Sequence, residues 1–177
     1  VRFGKGRREV EVRGNVYFEV TRDTSRPFVV WGRELVTEVL GTSFEVNLYG
    51  DGDETSATLV EGKVRVLVGK HAVVMKPDEQ IVFNTKSGDV EIIKVDAANM
   101  VRWKDGVLVI DNERFDNVVW KLERWYGVTI INETEKSFSQ LFSGEFDRED
   151  VRAAIETICV NLGIRYRMNK DSIILQK

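Results

Sequence analysis

A faint internal repeat near the C-terminus constrains this chain more than any other feature. Shifting Phe115, Val118, Val119, Leu122, Tyr126, Gly127, Val128 and Ile130 forward by 36 residues lands them on Val151, Ala154, Ile155, Ile158, Leu162, Gly163, Ile164 and Tyr166. Apolar positions meet apolar positions, and glycine meets glycine. That period is typical of a repeated supersecondary unit, which buries its apolar face against its neighbour. Each copy reads as strand, amphipathic helix, glycine stop and strand. The first set is 107–110, 115–126 and 128–132; the second is 140–146, 148–162 and 164–168, with 172–176 as a last strand.

The helix signals are local. Phe115, Val118, Val119, Leu122 and Tyr126 lie on one stripe, and Gly127 follows as a C-terminal stop. The second helix takes Asp147 as N-cap, Glu149 and Asp150 in its first turn, and Gly163 as its stop. Trp120 breaks the pattern. It sits roughly 140° around the helix from Phe115, taking about 100° per residue, among the charged Lys121, Glu123 and Arg124. An outward Trp beside Arg is the kind of anchor found at interface centres. The alternative is that Trp120 covers the rest of the same chain. Trp125 flanks the stripe and reads as half-buried core.

Before the repeat, residues 9–94 read as strands. Alternating or β-branched runs at 10–13, 16–20, 35–40, 43–49, 56–60, 63–68, 72–75 and 79–83 are separated by glycine, aspartate and proline turns. The runs at 64–68 and 72–75 around Gly69-Lys70-His71 form the strongest hairpin signal. The expected architecture is an antiparallel β-sandwich or jelly-roll-like domain, followed by a small duplicated βαβ domain: mainly β plus α+β. Composition shifts after Lys94, which gives a β domain at 1–94, a junction at 95–106 and an α+β domain at 107–177. Residues 95–103 are expected to form a short helix in that junction, with Trp103 packed across it.

Bulk properties narrow the function. The chain has 177 residues, a net charge of -3 and a sequence pI near 5.4, which argues against a nucleic-acid partner. No apolar run approaches the ~18 residues that span a bilayer. The start, Val1-Arg2-Phe3-Gly4, has neither an initiating Met nor a signal-peptide core, so the chain reads as a fragment whose anchor or export signal lies upstream. Cys159 is the single cysteine, which excludes an intrachain disulfide and suggests a buried structural thiol.

Catalytic chemistry finds little support. The one histidine, His71, falls in a hairpin turn with no nucleophile motif around it. Asp51, Asp53 and Glu54 lack the ligand ladder of a calcium loop, and no metal or cofactor site is expected. Gly4-Lys5-Gly6 precedes no strand-to-helix unit, so it is no phosphate loop. Arg7, Arg8 and Arg13 read as a solvated strand end. The strand Ser172-Ile173-Ile174-Leu175-Gln176 could accept a partner strand if it lay at a sheet edge, and is core if it is central.

Several motifs resemble one family. Gly14-Asn15-Val16-Tyr17-Phe18-Glu19-Val20 and Arg26-Pro27-Phe28-Val29-Val30 resemble the start of the FecR domain. Val39-Leu40-Gly41-Thr42-Ser43-Phe44-Glu45-Val46 and Leu59-Val60-Glu61-Gly62-Lys63-Val64-Arg65-Val66 resemble its next strand pairs. Lys76-Pro77-Asp78-Glu79-Gln80 matches a turn in which the family has glycine in place of Asp78, and Asn15 stands where an acidic residue is usual. Trp103-Lys104-Asp105-Gly106 and Leu122-Glu123-Arg124-Trp125-Tyr126-Gly127-Val128 are similar to the family's C-terminal module, itself similar to the short domain shared by secretins and TonB-dependent transducers. The first strands of the FecR domain look truncated.

The resemblance implies a regulator of an extracytoplasmic-function sigma factor, with no catalytic activity. In such proteins a cytoplasmic segment binds the sigma factor, one helix crosses the inner membrane, and a periplasmic part senses a TonB-dependent outer-membrane receptor. This chain resembles the periplasmic part alone. The expected partner-binding residues are Trp120 and Arg124 on the first helix, and Ile173 and Leu175 on the last strand, facing the receptor's signalling domain. Two rivals remain: a sugar- or siderophore-binding β domain using Trp31 or Tyr49, and a hydrolase with paired carboxylates.

Overall fold

Short runs of β-branched and aromatic residues, each closed by a tight turn, give the first half of the chain two facing sheets. The computed structural model describes residues 1–4, 6–48, 53–134, 138–170 and 172–177, which fall into a unit at Val1–Val101 and a second at Arg102–Lys177. The first unit carries β1 (Arg2–Phe3), β2 (Arg8–Glu11), β3 (Asn15–Val20), β4 (Phe28–Trp31), β5 (Leu35–Val39), β6 (Thr42–Asn47), β7 (Glu54–Glu61), β8 (Val64–Val68), β9 (His71–Met75), β10 (Glu79–Asn84), β11 (Val90–Lys94) and a one-turn helix α1 (Ala97–Met100). One sheet has the order β1-β2-β4-β5-β8-β9 and the other β11-β10-β7-β6-β3.

Their inner faces share one apolar core. Val30, Leu35, Val39 and Val66 from the first sheet pack with Phe44, Val46, Leu59 and Ile81 from the second. Phe18 stacks on Phe44 with centroids 5.3 Å apart and meets Phe28 edge-on at 5.6 Å, tying the sheets at one end. The sandwich is thus mainly antiparallel, as alternation indicated, with β2 and β4 as a parallel exception. The hairpin turn is Gly69-Lys70 alone: His71 is the first residue of β9 and pairs with Val68. The segment forming β11, which was not among the runs singled out, pairs along its whole length with Glu79–Phe83 of β10.

Asp78 shows how a departure from a family turn can be absorbed. Pro77 precedes it, its φ is 62°, and the Glu79 amide donates to the Lys76 carbonyl at 3.2 Å. These are the marks of a type II turn, whose third position favours glycine. Asp78 keeps that turn and adds a contact: its Oδ1 accepts the Ala97 amide at 3.4 Å, at the start of α1. The expected helix over 95–103 is therefore split. α1, capped by Asp96 on the Asn99 amide, belongs to the first unit, while a 3₁₀ turn at Arg102–Asp105 opens the second.

The second unit continues with β12 (Val107–Glu113), α2 (Phe115–Tyr126), β13 (Thr129–Asn132), β14 (Phe142–Asp147), α3 (Val151–Leu162), β15 (Arg165–Met168) and β16 (Ser172–Gln176). Both helices have 12 residues, begin 36 residues apart and stop at a left-handed glycine, Gly127 with φ 67° and Gly163 with φ 61°. β13 and β15 are offset by the same interval. The copies interlock rather than stand side by side. Their first strands, β12 and β14, pair antiparallel, and their last strands flank β16 in the order β13-β16-β15. Phe115, Val118 and Leu122 of α2 and Ala154, Ile155 and Ile158 of α3 close one core on these sheets.

The N-cap of α3 is Asp150, not Asp147. Asp150 Oδ1 accepts the Ala153 amide at 2.9 Å, whereas Asp147 is the last residue of β14. Arg148, with φ at 54°, makes the corner between them in a conformation no helix contains.

Candidate functional site

The amphipathic pattern of α2 leaves one side of the helix outside the core, and the side chains there divide into two kinds. Trp120 is half-buried but does not join the apolar cluster of the second unit. The Arg124 guanidinium lies over its ring, 4.7 Å from the centroid. An i,i+4 cation–π pair at an exposed site contributes about 0.5–1 kcal/mol and holds the ring in place. The result is a fixed aromatic surface with a positive rim, suited to a partner offering an apolar patch edged by carboxylates or carbonyls.

Two of the neighbouring charges are held by the strands beside the helix. Lys121 Nζ donates to the Val109 carbonyl of β12 at 3.3 Å and ion-pairs with Glu113. Glu123 Oε1 accepts the Ile130 amide of β13 at 2.7 Å. These two residues fasten α2 to the strands on either side of it. Sequence reasoning missed them because a charge on a helix flank looks alike whether it faces water or an exposed strand edge. Trp125, in contrast, is partly buried against the core, as its place beside the stripe indicated.

The last strand is a correction. β16 is the centre of its sheet, between β13 and β15, and Ile173 and Leu175 are each 1% exposed. They cannot meet a partner strand; they are core. The run Ile173-Ile174-Leu175 carried that signal, since a strand covered on both faces reads as a continuous apolar stretch.

The remaining candidates carry structural roles. Cys159 is buried, and desolvation pushes its thiol up to about 11. His71 is exposed on edge strand β9. Arg8 is not a solvated strand end: it donates to the Arg26 and Thr21 carbonyls, and its guanidinium lies 5.7 Å from the Phe28 ring centroid. Arg7 pairs with Glu9 at 2.9 Å. Asp23, in the same corner, accepts the Ser25 hydroxyl at 2.6 Å and Arg26 Nε at 2.8 Å. The Ser25 hydrogen bond first, and then Arg26, hold its carboxyl down at about 2. Asp53 pairs with Lys86, Asp51 lies outside the described residues, and no group of three metal-ligating side chains occurs among the described residues. Trp31 is 42% exposed on the outer face of its sheet, with Nε1 donating to Glu9 at 3.2 Å. Tyr49, the alternative stacking residue, lies outside the described residues. No helix among the described residues is long and apolar enough to cross a membrane.

The model of the FecR protein matches residues 1–65 and that of FecR, C-terminal, matches residues 107–175. The chain is also similar to a protein from Parabacteroides distasonis described as a "putative anti-sigma factor", solved at 1.65 Å, with 31% identity and a TM-score of 0.82 over 99% of this chain and 83% of that one. A second crystal structure under the same description, at 2.50 Å, gives a TM-score of 0.81 with the same identity and coverage. No curated protein matches the chain. The chain belongs to the FecR family of anti-sigma regulators.

Proposed function

We propose that this chain is the periplasmic, signal-receiving part of a membrane-anchored FecR-like regulator of an extracytoplasmic-function sigma factor. It acts by binding and has no catalytic step of its own. Its second unit docks the signalling domain of a TonB-dependent outer-membrane receptor, with Trp120 and Arg124 as the contact. The first unit acts as spacer or shield between that contact and the membrane, and the sigma factor is held by a segment outside this chain. In this reading the roles divide at 1–94 for the shield, 95–106 for the junction and 107–177 for docking.

The observation that carries the reading is Trp120. It is a large aromatic residue, pinned by Arg124 outside the core of a unit that the FecR C-terminal family model matches. A docking free energy of a few kcal/mol is enough to redistribute a two-state regulator. The test is calorimetric titration of the whole chain with the signalling domain of the receptor encoded beside it. Saturable binding is the expected result, and its absence at high concentration would remove the reading. Nothing about Trp31 or the surface around it favours the small-ligand alternative.

A further inference from the structure

The interlocked repeat leaves four strands with an outer margin, β12, β13, β14 and β15. Open margins invite pairing with another chain unless charge or a covering group blocks them. Three of the four have their charged groups engaged within the unit. Lys121 takes the Val109 carbonyl of β12, and Glu123 takes the Ile130 amide of β13. On β14, Glu145 is paired with Arg102 and Asp147 with Arg148.

β15 is different. The Asn169 amide donates to the Ser172 carbonyl at 2.8 Å, which fixes the alternation of its antiparallel ladder with β16. Arg167 with Ile174 and Arg165 with Gln176 then exchange hydrogen bonds inward. The backbone N–H and C=O groups of Tyr166 and Met168 therefore face outward, and among the described residues no strand pairs with this margin. Tyr166 and Met168 turn their side chains to the core, where each is only half-buried, so the core has an open apolar border along this strand. Arg165 and Arg167 lie on the opposite face, both exposed. There Ile174 of β16 and Ile131 of β13 continue the row that Arg167 begins, and Ile131 is 42% exposed. Arg165 donates Nε to the Lys177 carbonyl at 2.9 Å, and among the described residues no carboxylate pairs with either arginine. Glu133, which continues β13, lies on the far side of β16.

We propose that β15 is a docking edge for an extended acidic segment of a partner protein, with carboxylates at alternate positions and apolar residues between them. The incoming strand runs antiparallel and takes its main-chain hydrogen bonds from Tyr166 and Met168. Its residues opposite Arg165 and Arg167 form the non-hydrogen-bonded pairs, where side chains lie closest, so carboxylates there meet the two guanidinium groups. Its residues opposite Tyr166 and Met168 face the core side and cover the apolar border. In a pairing of two copies through the middle of β15 the arginines would face one another, so the same charges that reject a second copy select an acidic strand. None of these residues is on α2, and the edge stands or falls apart from the receptor reading.

The test is NMR titration of the whole chain with a capped Thr-Val-Glu-Val-Glu-Val-Thr peptide and its Lys-for-Glu counterpart. Saturable shifts centred on 164–169, with slowed exchange at the Tyr166 and Met168 amides for the acidic peptide alone, are the expected outcome. Arg167→Glu should weaken that binding about tenfold by replacing attraction with repulsion, and Trp120→Ala should leave it unchanged. The double variant Arg165→Glu/Arg167→Glu should lose the acidic peptide and take up the basic one. Equal binding of both peptides, binding that leaves the Tyr166 and Met168 amides exchanging at their free rate, a double variant that keeps the acidic peptide, or no saturation would each overturn the proposal.

Discussion

α2 and α3 are two versions of one helix, and comparing them separates what the fold requires from what is particular to one face. Val118 and Ala154 are both fully buried, Leu122 and Ile158 hold equivalent positions in the core, and both helices end at a left-handed glycine. The flanking positions differ. Where α2 carries Trp120, Lys121 and Glu123, α3 carries Glu156, Thr157 and Cys159. Packing preserves the inner stripe of both copies, because either lost would open the shared core. Only α2 has turned its flank to fastening two strands and displaying an aromatic ring.

The largest effects should be symmetric. Leu122→Ala and Ile158→Ala should each destabilise the chain by about 2–4 kcal/mol in denaturant unfolding. A gap between them of more than about 2 kcal/mol would show that the copies do not share the core equally. Next come the caps: Gly127→Ala and Gly163→Ala meet open space but force a left-handed Ala, and each should cost about 1 kcal/mol. Glu123→Ala should cost about 1–2 kcal/mol by leaving the Ile130 amide unpaired, while Glu123→Gln, which keeps an acceptor, should cost less.

The comparison also marks what could be read from the sequence. The 36-residue offset gave α2 residue for residue, and it located β13 and β15 within a residue, because glycine stops and apolar stripes are local signals. Which strands would be neighbours was not local. The placing of β16 between β13 and β15 turned two expected contact residues, Ile173 and Leu175, into core. The parallel pairing of β2 with β4 was equally illegible, since alternation says which face is buried and not which strand lies alongside. Asp147 and Asp150 are both plausible caps by type, and only the left-handed turn at Arg148 decides between them.

The smallest effects concern protons. Burial raises Cys159, so its thiol should stay unreactive to alkylation near pH 8 in the folded chain and become reactive on unfolding, which makes it a reporter on α3. Reaction at the rate of a free thiol would contradict the packing of that helix. The hydrogen bond from Arg102 lowers Glu145, so the contribution of that pair should be fully present above the ordinary carboxylate range and fade as pH falls through the depressed value. NMR titration should find Glu145 moving back up in Arg102→Ala.

The central claim is that divergence of the two helices made one of them a docking face. It is tested most directly by titrating the receptor's signalling domain into Trp120→Ala and into Glu156→Ala, the same position in the other copy. Trp120→Ala should lose at least about tenfold in affinity, in the range of an interface anchor, with no change for Glu156→Ala. Equal losses in both, or none in either, would contradict it.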